Sequence, residues 1–147
     1  MISDSENVAR AIFAPRMVYQ GHILPAAFEL RAQINEEYIS VIRMAIESWK
    51  DDMLRIPQRK NRKLYGYAEM NVGGIRNIRK ENVTFDVKPC ENDVSKSHAG
   101  IFVTVNKEKL IGGRALLSIE DKNAQDFILL SIRQELAKIA QKGLKVL

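Results

Sequence analysis

The chain offers few side chains for acid–base or nucleophilic chemistry: two histidines, His22 and His98, and one cysteine, Cys90. His98 follows Ser95, Lys96 and Ser97 in DVSKSHAGIFVTV, residues 93–105, at the mouth of an alternating apolar segment. An imidazole titrates close to neutral pH and can serve as general acid or base. Lys96 and Ser97 beside it suit contact with an anionic substrate. The polar approach NDVSKS, residues 92–97, puts His98 at a strand end, where a rigid sheet presents side chains to a pocket. A plainer reading stands beside this one: His98 hydrogen-bonds a loop carbonyl and fixes the chain where it joins the sheet.

His22 lies in YQGHILP, close to a turn. Surface or half-buried packing accounts for it, whereas folding that brought it beside His98 would make a pair suited to phosphoryl transfer or phosphodiester cleavage. Cys90 follows Pro89 with nothing local to lower its pKa, and reads as an inert strand-end residue. The histidines and the cysteine lie far apart, without the paired short spacing of a zinc site. A Gly-rich loop followed by Lys-Ser or Lys-Thr is missing, and NVGGIRNI lacks dinucleotide-binding spacing. We therefore expect no tightly bound metal and no cofactor.

Positive charge is the second chemical feature. The formal net charge is +5, which permits an anionic partner. Arg55, Arg59, Lys60, Arg62 and Lys63 fall within RIPQRKNRK with no acid among them, and Arg76, Arg79 and Lys80 follow in IRNIRK. Together they suggest one basic surface for nucleic acid phosphates or an acidic protein. Tyr65 and Tyr67, just past the first run, would add stacking on unpaired bases. A solvated loop is the other reading of such a run.

These groups must be positioned by elements that the patterning predicts. ARAIFAP and MVYQGHILPAAFEL read as extended segments broken at Pro15 and Pro25, with a turn at Gln20-Gly21. EYISVIRM reads as a strand. Ile46, Trp49, Met53 and Ile56 then fall on one stripe, predicting a helix over RMAIESWKDDMLRI that Pro57 ends. KLYGYAEMNVGGIRNI reads as a strand with a bulge or bend at Gly73-Gly74. Val83, Phe85 and Val87 alternate with polar residues, as do Ile101, Val103 and Val105 with His98, Gly100, Phe102 and Thr104. The carboxyl-terminal NAQDFILLSIRQELAKIAQKG predicts a long helix with Leu129, Ile132, Leu136, Ile139 and Ala140 on one stripe, an N-cap at Asn123 and a left-handed C-cap at Gly143.

The pattern implies a single α+β domain over residues 1–147: a largely antiparallel sheet, one mid-chain helix and a long carboxyl-terminal helix packed on the sheet. A chain of 147 residues is long enough to bury about 68–70% of its unfolded surface around one core. A lone cysteine and an acidic, polar amino-terminal MISDSENVARAIF predict a cytoplasmic protein. No apolar run approaches the roughly 18 residues of a membrane span, so no membrane role is expected.

The segments MVYQGHILPAAFELR, EYISVIR and SHAGIF resemble small bacterial proteins of no assigned activity, which carry Ala-Ala-Phe, Ser-Val and Ser-His-Ala-Gly segments in that order. The resemblance implies a bacterial cytoplasmic protein and draws His98 and Arg16 into the candidate site. Two functions remain open. One is a binding module or accessory subunit whose basic surface meets nucleic acid or another anionic partner. The other is a small enzyme acting on a phosphate-containing or nucleotide-like substrate, with His98 as acid or base.

Overall fold

In a computed structural model the chain is an α+β domain built on one antiparallel sheet, with residues 1–90 and 95–147 described. Residues 92–94 of the polar approach to His98 lie outside the described residues. The main strands are β1 (Asn7–Ala14), β4 (Ile39–Arg43), β5 (Lys63–Asn71), β6 (Val83–Pro89), β7 (His98–Val105) and β9 (Leu144–Val146), in spatial order β6-β7-β4-β1-β5-β9. The short β8 (Glu108–Lys109) folds back on β7 across Asn106 and Lys107, both at positive φ. A two-stranded hairpin, β2 (Val18–Tyr19) with β3 (His22–Ile23), turns at Gln20-Gly21 as expected; both residues have positive φ, the backbone of a tight hairpin turn. One 3₁₀ turn, Pro25–Phe28, follows it.

The long helix α3 (Lys122–Lys142) lies on one face of the sheet. Ile132, Leu136, Ala137 and Ala140 are buried there in one cluster with Val8, Ile12, Val41, Ala68, Met70, Val87, Ile101 and Val103. Full burial of a Leu or Ile stabilises by about 1.5–3 kcal/mol, so Ile132 and Leu136 anchor the helix. The N-cap is Asp121, which accepts from the amides of Asn123 and Ala124, rather than Asn123. Gly143 has φ −110 and is not left-handed; glycine is required because a Cβ would lie 1.9 Å from the Glu69 carbonyl oxygen.

The opposite face is covered over β1 and β5 by α1 (Trp49–Leu54), with Met53 buried against Ala11, Phe13 and Ile42 and with Trp49 and Ile56 beside it. Trp49, Met53 and Ile56 of the predicted stripe therefore pack together, but only Trp49 and Met53 lie on the helix, which is shorter than expected. The amino-terminal part of the expected helix is taken by β4, which runs to Arg43, and by turns in which Met44 and Ile46 bond the carbonyls of Asn7 and Arg43.

The strand predicted through Gly73-Gly74 stops at Asn71. The Asn71 side chain accepts from the Gly74 amide and caps a short helix, α2 (Val72–Arg76), so the glycines lie in a helix and not in a bulge. The irregularity in β5 falls at its other end. Ile12 pairs with Gly66 and Phe13 with Leu64, which leaves Tyr65 as the extra residue. Tyr65 consequently packs against the α3-side core and Tyr67 against the α1-side core, so the two tyrosines do not share one stacking face.

Candidate functional site

Cross-strand register assembles a set of side chains on the face away from α3. Ala99, Ile101, Val103 and Val105 of β7 point into the α3-side core, so His98, Gly100 and Phe102 face the other way. Ile42 pairs with His98, Ser40 with Gly100, Lys88 with Gly100 and Asp86 with Phe102. Tyr38, just ahead of β4, folds across this surface: a Cβ on Gly100 would lie 2.7 Å from its ring. Gly100 thus lets Tyr38 rest on β7, where its ring centre is 5.2 Å from Phe102 and 5.7 Å from His98. The amino groups of Lys88 and Lys109 stand 5.0 and 5.9 Å from the centre of the Phe102 ring. Lys109 also bridges to Glu37 at 3.0 Å.

His98 is half-buried, and its Nε2 lies 3.2 Å from Ser40 Oγ. Burial lowers its pKa from the usual value, and a backbone hydrogen bond at Cys90 opposes that only in part. The imidazole is therefore neutral at pH 7, the form in which a ring nitrogen can accept a proton from a hydroxyl. Burial also raises the pKa of Cys90 and of Tyr38, which hydrogen-bond each other. Cys90 is thus held as the thiol, in keeping with an inert role.

Ser97 is fully buried, and its hydroxyl donates to the Asp52 carboxylate at 2.5 Å. Asp52 also accepts from Ser48 at 2.9 Å and from Ser95 at 3.4 Å, and it pairs with Arg55 at 3.1 Å. The Ser97 bond is the largest of the causes that lower the Asp52 pKa, and burial works against it. Ser97, expected to contact substrate, instead fastens the chain ahead of β7 to α1. Lys96 beside it is exposed. Arg16 is exposed and paired with Glu29 at 2.7 Å. His22 is exposed on β3, in a hairpin that Gln141 of α3 holds through Ile23 N and Gly21 O. The two histidines therefore lie on opposite sides of the sheet and do not form a pair.

The basic runs also separate. Arg59 and Arg62 exchange two backbone hydrogen bonds, which puts Lys60 and Asn61 at the exposed tip of a tight loop. Arg59, Lys60 and Lys63 are exposed and, among the described residues, unpaired; Arg62 stacks 4.0 Å over the Phe13 ring, and burial lowers its pKa. Arg76 is committed to Asp4 at 2.7 Å, Asp86 at 2.8 Å and the Val87 carbonyl at 2.9 Å. Arg79 is exposed, and Lys80 is half-buried beside an isolated pairing with Val83. The second run lies beyond the far end of β5 from the first, about 26 Å away for a strand rising roughly 3.3 Å per residue. They do not make one surface.

Sequence reasoning passed over Tyr38, Ser40, Asp52 and Arg10. Arg10 carried a signal, as the one charge inside the apolar strand ARAIF. Its guanidinium donates to the Ala27 carbonyl at 3.0 and 2.8 Å and to the Ser40 carbonyl at 2.7 Å, tying β1 to β4 and to the 3₁₀ turn. Burial lowers its pKa to about 10, so it stays charged. Among the described residues, no group of three His, Cys, Asp or Glu side chains is placed to hold a metal ion, and no helix is long and apolar enough to cross a membrane.

No family model matches the sequence, and no curated protein or solved structure matches it.

Proposed function

We propose that the protein binds single-stranded nucleic acid on the sheet face opposite α3, as a cytoplasmic binding module or accessory subunit of the bacterial type that its segments resemble. The observation that carries this reading is the Tyr38–Phe102 pair on that face, with Lys88 and Lys109 over the Phe102 ring. Unpaired bases stack on aromatic side chains presented by a sheet, while neighbouring lysines meet the phosphates. Arg59, Lys60 and Lys63 add exposed cations at the end of the sheet where Arg62 covers Phe13. The test is fluorescence anisotropy of short labelled single strands across a salt series. Log affinity should fall against log salt with a slope of about −0.7 per phosphate neutralised. Absence of salt-dependent binding would reject the reading.

A second reading has its own observation, the 3.2 Å approach of His98 Nε2 to Ser40 Oγ with the imidazole held neutral. In this reading His98 is the base that activates the Ser40 hydroxyl or a substrate hydroxyl, and Lys88 and Lys96 hold a phosphate-containing substrate. Cleavage of a chromogenic phosphodiester or a short oligoribonucleotide by the wild type, lost in His98→Ala, would support it. Equal rates in the two proteins would end it.

A further inference from the structure

On the α3 side of the sheet, where β4 begins, the structure leaves a pocket of about 150 Å³. Its apolar walls come from four elements: Phe28 of the 3₁₀ turn, Ile39 of β4, Leu110 just past β8, and Leu129 and Ile132 of α3. Leu30, Ala32 and residues 111–113 complete the uncharged wall. A Cβ on Gly112 would lie 2.6 Å from the Arg31 carbonyl oxygen, Gly113 has φ +78, and the Gly112 amide bonds the Glu36 carbonyl at 2.8 Å. Close backbone packing that only glycine permits therefore fixes this wall, and the pocket is preformed.

Three charged residues line it: Glu29, Arg114 and Arg133. Glu29 is already balanced by Arg16 at 2.7 Å. The guanidinium groups of Arg114 and Arg133 make no hydrogen bond or ion pair with any described residue. Two unspent cations thus border a concave apolar space, the arrangement that takes a molecule with an apolar body and an anionic head. A cavity of about this volume accepts a ring the size of benzene. The planar fork of an arginine matches a carboxylate in a bidentate contact, and the Glu29 carboxylate in the wall disfavours a doubly charged head such as a phosphate monoester.

We propose that this pocket binds a small amphiphilic carboxylate, with a single aromatic ring or short acyl chain against Phe28, Leu110, Leu129 and Ile132 and its carboxylate on Arg114 and Arg133. The site lies across the sheet from the aromatic and histidine face and does not depend on nucleic acid binding.

Amide NMR spectra of the whole chain, titrated with benzoate, benzamide or acetate, test it. Benzoate should give saturable shifts concentrated in residues 110–114 and 129–133. Benzamide lacks the charge and acetate lacks the ring, and each should bind at least about tenfold more weakly. An Arg114→Gln, Arg133→Gln double variant, whose unperturbed remaining spectrum reports a native fold, should lose benzoate affinity by about tenfold or more. Benzoate shifts that do not saturate, benzamide or acetate binding as well as benzoate, or a folded double variant with unchanged affinity would each overturn the proposal.

Discussion

Ser97 Oγ and the Asp52 carboxylate are 2.5 Å apart, the serine fully buried and the aspartate side chain 7% exposed. Asp52 lies on α1, so this bond joins the helix to the segment that leads into β7. The Arg43 amide adds a backbone bond to the Ser97 carbonyl at 2.7 Å. The task of pinning the chain where it joins the sheet, one of the two roles open to His98 from sequence, falls largely to the residue before it. His98 adds its own backbone hydrogen bond at Cys90, and its half-buried ring stands beside Ser40 and Tyr38.

Removal of the Ser97 hydroxyl should therefore be costly. A hydrogen bond to a charged group contributes about 1.5–3 kcal/mol, and each kcal/mol moves the Tm of a domain this size by roughly 2–4 °C. Ser97→Ala should melt roughly 3–12 °C below the wild type by circular dichroism. The difference should narrow in acid, because hydrogen bonding lowers the Asp52 pKa. The stability tied to that carboxylate is present above its unfolded pKa, near 3.9, and is lost as pH falls through the lower folded value. An unaltered Tm at neutral pH would show that the bond carries no stability.

His98 has a linkage of the same sign, displaced to higher pH. Burial lowers its folded pKa below the unfolded value, so over the interval between them the unfolded chain binds a proton that the native chain does not. The contribution to stability is full above about pH 6.5 and is lost as pH falls toward the folded pKa. His98→Gln should flatten the decline in Tm on acidification, and NMR titration of the ring should place its pKa below the ordinary histidine value. Parallel Tm profiles for the two proteins would contradict this linkage.

The architecture was legible in the alternation of Val83, Phe85 and Val87, in that of Ile101, Val103 and Val105, and in the Ile132, Leu136 and Ala140 stripe, because each follows directly from burial on one face. The helix through Gly73-Gly74 was not legible. It depends on the Asn71 cap and on the close seat of Gly73 against Asp4, 69 residues away in sequence. The candidate site was half legible. His98 stood out by its chemistry, but Ser40 and Tyr38 reach it through the β4–β7 register, which local pattern does not specify. The basic runs were visible as composition, yet only tertiary contacts show that Arg76 is spent on Asp4 and Asp86 while Lys60 is exposed.

That contrast separates the basic residues experimentally. If single strands bind to the open face, Phe102→Ala should weaken binding by about 1–3 kcal/mol, the usual worth of one base stacked on an aromatic ring. Lys88→Ala and Lys60→Ala should each lower the salt slope by about 0.7. Arg76→Ala should instead lower the Tm and leave oligonucleotide affinity unchanged. Anisotropy titrations and melting curves on the same samples decide it; a loss of affinity confined to Arg76→Ala would reverse the assignment.

Two glycines make the last prediction, because glycine serves a different need at each. Gly21 has φ +79 with open space around it, so Gly21→Ala pays for backbone conformation alone, about 1–2 kcal/mol. Gly143 has an ordinary φ of −110, but a Cβ there would lie 1.9 Å from the Glu69 carbonyl oxygen, and its own carbonyl accepts from the Glu69 amide at 2.8 Å. The backbone at one of the two positions must move, and β9 begins at the next residue. Gly143→Ala should therefore cost about 1–3 kcal/mol or more, with the damage localised. Amide exchange should accelerate at Leu144–Val146, at Leu147, which bonds the Tyr65 carbonyl, and along the paired residues Gly66, Tyr67 and Ala68. Gly21→Ala should leave those amides as protected as in the wild type. Faster exchange at β9 in Gly21→Ala, or none in Gly143→Ala, would show that the α3–β9 junction is not held by this close approach.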